Sequence, residues 1–125
     1  MTLSDFFDRL EDALFPNQRR DRLPADWIAF RRQAEDREIQ GRDRFGDEYL
    51  TRDNAGEGLE EAADGANYGY FDVLRTDAEG GDVDEALQLA LIAAHHFYEG
   101  HRTLHALRAK TPPLPISEPE AEIST

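Results

Sequence analysis

The sequence contains no cysteine, one lysine, one methionine and one tryptophan. Without cysteine there is no disulfide framework, no thiolate metal site and no cysteine nucleophile. β-Branched runs bounded by turn residues are missing as well, which removes the usual signature of strands. No apolar run approaches the ~20 residues that span a bilayer. The opening MTLSDFFDRLEDALF is amphipathic and acidic, without the basic n-region and apolar h-region of a signal peptide. A cytoplasmic location without membrane contact is the expectation. The formal charge of −13 also argues against direct binding of nucleic acid, which needs clustered Lys and Arg. It suits metal binding, a basic protein partner, or plain solubility.

What is present is enough for one modest core. The 125 residues are 39% hydrophobic, with seven Phe and four Tyr, which separates the chain from disordered compositions. Thirteen Arg against one Lys, with many Ala, Gly and Asp, suit a GC-rich genome, bacterial or phage. The charge is unevenly placed. Residues 1–52 hold twelve acids and ten Arg, whereas residues 53–81 hold eight acids and one Arg. The excess therefore sits mainly on one segment.

Hydrophobic periodicity predicts four helices. Ser4 can cap the first, whose stripe is Phe6, Phe7, Leu10, Leu14 and Phe15, and Pro16-Asn17 ends it. Pro24 suits the first turn of the second, with Trp27, Phe30 and Ala34 on one face, running to about Arg44. Asp53-Asn54 can cap a third helix over 55–78, with Leu59, Ala62, Ala63, Ala66, Tyr70, Val73 and Leu74 inward. Gly80-Gly81-Asp82 reads as a stop and turn. A fourth helix over 83–109 carries Leu87, Ala90, Leu91, Ala94, Phe97, Tyr98 and Leu104. The expectation is all-α: a four-helix, bundle-like domain over residues 1–110, with a flexible Pro- and Glu-rich tail over 111–125. Pro112 and Pro115 form a P-x-x-P, read as solvated tail.

The third helix holds the excess charge. At ~100° per residue, Glu57, Glu60, Glu61 and Asp64 share about a third of its circumference and repel one another. A divalent cation such as Mg²⁺ would relieve that repulsion; a solvated acidic face is the plainer reading. Tyr68 and Phe71 continue the acidic stripe, and Gly58, Gly65 and Gly69 weaken the helix by roughly 1 kcal/mol each. Both features imply contact with a neighbour on more than one side, from a central position or a homodimer.

The run Glu60-Glu61-Ala62-Ala63-Asp64-Gly65-Ala66-Asn67-Tyr68 resembles the E-E-x-x-D-x-x-x-Y helix of the MazG-like, all-α nucleoside triphosphate pyrophosphohydrolases. The resemblance implies a helical, commonly dimeric or tetrameric protein that hydrolyses nucleotides between the α- and β-phosphates. It implies Mg²⁺ (or Mn²⁺) held by E-x-x-D on this helix, at Glu61 and Asp64, and by E-x-x-E on the preceding one, at Glu35 and Glu38. Glu38 lies nearly in line with Trp27 and Ala34, so it faces inward and needs a partner. Glu38, Glu61 and Asp64 would be metal ligands, and Glu35, Glu57 or Glu60 a further ligand or water-orienting base. Tyr68 and Arg75 would meet substrate. The family usually adds Lys and Asn groups from later helices. Here the only Lys is Lys110, which leaves Arg75 or Arg102 for that part.

His101 and His105 are four apart in the apolar arc of the fourth helix. Such a pair can chelate Zn²⁺, but no H-E-x-x-H or E-x-x-H pattern accompanies it. A satisfied interior pair, or one hydrogen-bonded to Glu38, is the reading, and His95 with Glu99 reads as an i, i+4 pair. Two functional alternatives stand beside the hydrolase. One is an acidic interaction protein, phage-encoded or a DNA mimic, that binds a basic host protein. The other is a helical dimerisation module without chemistry.

Overall fold

A computed structural model describes residues 1–110. The chain is all-α, with four α-helices and, among the described residues, no strand. They are α1 (Leu3–Leu14), α2 (Ala25–Phe45), α3 (Asn54–Ala78) and α4 (Val83–Lys110), with single 3-10 turns at Arg20–Arg22 and Glu48–Leu50. The tail expected over 111–125 lies outside the described residues. No described helix is long and apolar enough to cross a membrane. The chain divides into two compact units, Met1–Glu48 and Tyr49 onward.

In the first unit α1 is capped by Thr2, not by Ser4. The Thr2 hydroxyl accepts from the Asp5 amide at 3.0 Å, and the Asp5 carboxylate accepts from the Thr2 amide at 3.0 Å. This reciprocal box satisfies two of the amides that a helix start leaves orphaned. Ser4 instead accepts from Arg31 on α2. α1 ends where Asn17 takes φ +66° beside Pro16, and α2 stops at Gly46, φ +65°. Phe7 and Trp27 are the buried apolar residues of the unit. Their rings meet at 6.2 Å, and Phe15 and Phe30 close on Trp27 at 5.7 and 5.9 Å. Phe6, Leu14 and Phe30, expected inward, remain about half exposed, because a two-helix contact covers only a narrow stripe.

The second unit is an antiparallel hairpin of α3 and α4. Asp53 caps α3, accepting from the Gly56 amide at 2.9 Å, and its carboxylate also pairs with Arg108 at 2.6 Å. Gly80, φ +74°, makes the turn, and Asp82 accepts from the Glu85 amide at 3.0 Å to start α4. The neighbour that the α3 glycines anticipate is α4. A Cβ at Gly65 would stand 2.5 Å from Phe97, one at Gly58 2.8 Å from Leu104, and one at Gly69 3.3 Å from Ala90. The glycine side of α3 is thus its contact seam, and Tyr70 and Leu74, expected inward, are about half exposed. Neither helix has a buried residue.

Candidate functional site

The acidic edge of α3 begins one turn after its cap. Glu57 is neutralised by Arg52 at 2.9 Å. Glu60, Glu61 and Asp64 are exposed and make no hydrogen bond or ion pair among the described residues. Residues three and four apart on a helix are surface neighbours, so Glu61 and Asp64 form one adjacent pair, with Glu57 and Tyr68 a turn to either side. Tyr68 is 66% exposed, its ring edge-on to Phe71 at 6.5 Å. Arg75 is committed within its own helix, at 2.9 Å to Asp72 and 2.6 Å to Glu79. The Asp72 hydrogen bond and charge raise its pKa above the usual arginine range. A substrate anion would have to compete with both carboxylates for it.

The α2 carboxylates are placed differently. Both are half-buried, and both have arginine partners one turn away: Glu35 meets Arg31 at 3.6 Å and Glu38 meets Arg42 at 2.9 Å. The partner Glu38 needs is therefore Arg42. Such i, i+4 pairs contribute only about 0.3–0.5 kcal/mol, so a stronger cation could displace them. Glu35 and Glu38 belong to the first unit, Glu61 and Asp64 to the second.

Among the described residues, no group of three or more His, Asp or Glu is close enough to hold a metal ion. The Glu61–Asp64 pair nonetheless has the donor chemistry of a Mg²⁺ site. That ion is commonly held by one or two carboxylates, its remaining positions filled by water and substrate phosphate. Two hard, unpaired oxygen donors on one helix edge fit it; an imidazole-preferring ion would find none on this edge.

One polar cluster escaped the sequence reading. Glu11 is buried, accepts from Trp27 Nε1 at 2.8 Å, and pairs with Arg31 at 3.2 Å. Arg31 also reaches Asp8 at 2.9 Å and the Ser4 carbonyl and hydroxyl at 3.2 Å. Desolvation works against its charge, but Asp8, Glu35 and Glu11 outweigh that and raise its pKa. The signal was available. Glu11 falls inside the Phe7–Leu10–Leu14 arc, and Arg31 is one turn after Trp27 on the same face of α2. This cluster ties α1 to α2 and leaves no buried side-chain polar atom unsatisfied.

Of the histidines, His101 is half-buried and His105 exposed. Glu99 pairs with Arg102 at 3.2 Å and not with His95, whose ring stands edge-on to His96 at 5.6 Å.

Set against known proteins, no family model, no curated protein and no solved structure matches this chain.

Proposed function

We propose that the chain is a metal-dependent hydrolase of nucleotide phosphates, related to the MazG-like pyrophosphohydrolases. The observation that carries this reading is the Glu61–Asp64 pair: two adjacent, exposed carboxylates without a cationic partner among the described residues, inside a motif that resembles the family's. Glu61 and Asp64 bind Mg²⁺ or Mn²⁺, and Glu60, also unpaired, takes the proton of the attacking water. The chemistry a divalent cation supplies is charge neutralisation at phosphate oxygens and a lowered pKa for water. Tyr68 offers an open ring for a base to stack on. Glu35 and Glu38, in the first unit, are held by Arg31 and Arg42.

The test is calorimetry with MgCl₂ and MnCl₂, followed by a panel of nucleoside triphosphates assayed for monophosphate and pyrophosphate. Binding and turnover that both vanish in Asp64→Asn support the reading. No divalent binding ends it.

The unneutralised acids of residues 53–81 also support a second reading, a docking edge for a basic protein. That predicts no turnover and a complex whose association weakens steeply with salt.

A further inference from the structure

Two helices bury only the seam between them. In the hairpin that seam is spent on Gly58, Gly65 and Gly69 against Leu104, Phe97 and Ala90. Advancing ~100° per residue, each helix carries a second apolar stripe beside it. On α4 this is Leu87, Leu91, Ala94 and Tyr98, of which Leu87, Leu91 and Tyr98 are 43, 57 and 63% exposed. On α3 it is Ala63, Ala66, Tyr70 and Val73. Because the helices are antiparallel, a turn of the same sign on each brings both stripes to one side of the hairpin. None of these eight positions is charged.

We infer that this face binds a second copy of the chain, packed antiparallel, α4 on α4 and α3 on α3. The α4 stripe is spaced 4-3-4, which reads the same in both directions. An antiparallel copy therefore sets Leu87 against Tyr98, and sets the large Leu91 against the small Ala94. One step further out, Asp84 meets His101. The α3 stripe is spaced 3-4-3 and is likewise palindromic, setting Ala66 against Tyr70 and Ala63 against Val73. Both palindromes have their centres at the same height. The contacts of Gly65 with Phe97 and Gly69 with Ala90 bring the middle of residues 66–70 level with the middle of residues 91–94. A single two-fold axis serves both helices, as an isologous interface requires. Charge selects the direction. α4 begins with Asp84 and Glu85 and ends with Arg108 and Lys110, so antiparallel copies oppose unlike ends and parallel copies oppose like ones.

The native chain has no cysteine, so single substitutions report cleanly. Sedimentation equilibrium of the full chain gives twice the monomer mass, and Leu91→Asp halves it. Under mild oxidation, Leu87→Cys chains mixed with Tyr98→Cys chains form the mixed disulfide in preference to either self-pair. Leu89→Cys, exposed on the opposite side of α4, links to nothing. A monomeric native chain overturns the inference, whether another part of the chain or a different partner covers the face. So do self-linked Leu87→Cys and Tyr98→Cys dimers, which mean parallel packing, and a dimer that links through Leu89→Cys.

Discussion

The two units use the same residue types to opposite ends. In the first, Asp8, Glu11, Asp21, Glu35 and Glu38 each face an arginine, and one of these pairs, Glu11 with Arg31, is partly buried and shares the Trp27 indole N–H. In the second, Glu60, Glu61 and Asp64 face none among the described residues. The cause is the supply of cations: nine Arg in residues 1–48, one in residues 53–81 of the second unit. Where arginine is interleaved, carboxylates become part of the structure. Where it is withheld, they stay available to something outside the chain. The contrast extends to packing, since the first unit has a small buried centre and the second has none among the described residues.

The sharpest way to break this comparison is to remove the cation that holds the first unit together. Arg31→Ala leaves the buried Glu11 carboxylate with only the Trp27 donor, and losing a hydrogen bond to a charged group costs about 1.5–3 kcal/mol. Arg42→Ala breaks only the surface pair to Glu38, worth about 0–1 kcal/mol. Urea unfolding of both variants measures the gap, and equal losses would remove the distinction between clasp and surface pair.

Next in size is the glycine seam. Gly65→Val drives a branched side chain into Phe97, from which even a Cβ stands 2.5 Å, and overpacking typically costs about 1–3 kcal/mol. At Gly100, in the interior of α4, nothing lies within 4 Å of an added Cβ. Gly100→Ala should therefore stabilise by about 1 kcal/mol through helix propensity alone. Thermal melts with opposite signs for the two glycines confirm that α3 gives up propensity for close approach. Two shifts of the same sign would contradict it.

That opposition also shows how much was readable in advance. Helix number, the turn at residues 80–82, the Asp53 cap and a close neighbour along the α3 glycines all follow from local rules of spacing and capping. Which side of α3 meets α4 does not. Tyr70 and Leu74 look like core because they are apolar and periodic, but the small side chains beside them allow a nearer approach and win the seam. Ser4 looks like the cap, and Thr2 takes it because Asp5 lies three residues on and completes the box. For the candidate site, the unpaired state of Glu61 and Asp64 could be anticipated from the scarcity of arginine. The pairing of Glu38 with Arg42 lay in its i, i+4 spacing, and Glu11 was hidden by its own apolar neighbours.

A smaller effect probes the free carboxylates. In metal-free buffer, Asp64→Asn removes like-charge repulsion from Glu60 and Glu61, stabilising by a few tenths of a kcal/mol. With MgCl₂ added, the native chain gains melting temperature by mass action and the variant does not. The order of stability then reverses. A variant that stays ahead at every Mg²⁺ concentration would speak for a face that merely faces water.

The smallest effect lies at the start of α1, where a carboxylate is tied down without any arginine. The amide of Thr2, then its hydroxyl, hydrogen-bonds the Asp5 region and holds the Asp5 pKa below its usual 3.8. A group whose folded pKa is depressed stabilises the native state above the unfolded value, and that contribution fades as pH falls through the folded pKa. Acid should therefore loosen this cap only below about pH 4, near the unperturbed aspartate range. Asp5→Asn keeps an acceptor but cannot titrate, so its stability should decline less between pH 5 and pH 2 (roughly the window of carboxylate protonation) than that of the native chain. Melting temperatures across that range decide the matter. Parallel curves for the native chain and Asp5→Asn would mean that the capping box is too frayed in solution to bias the proton, and that only arginine-paired acids matter in this unit.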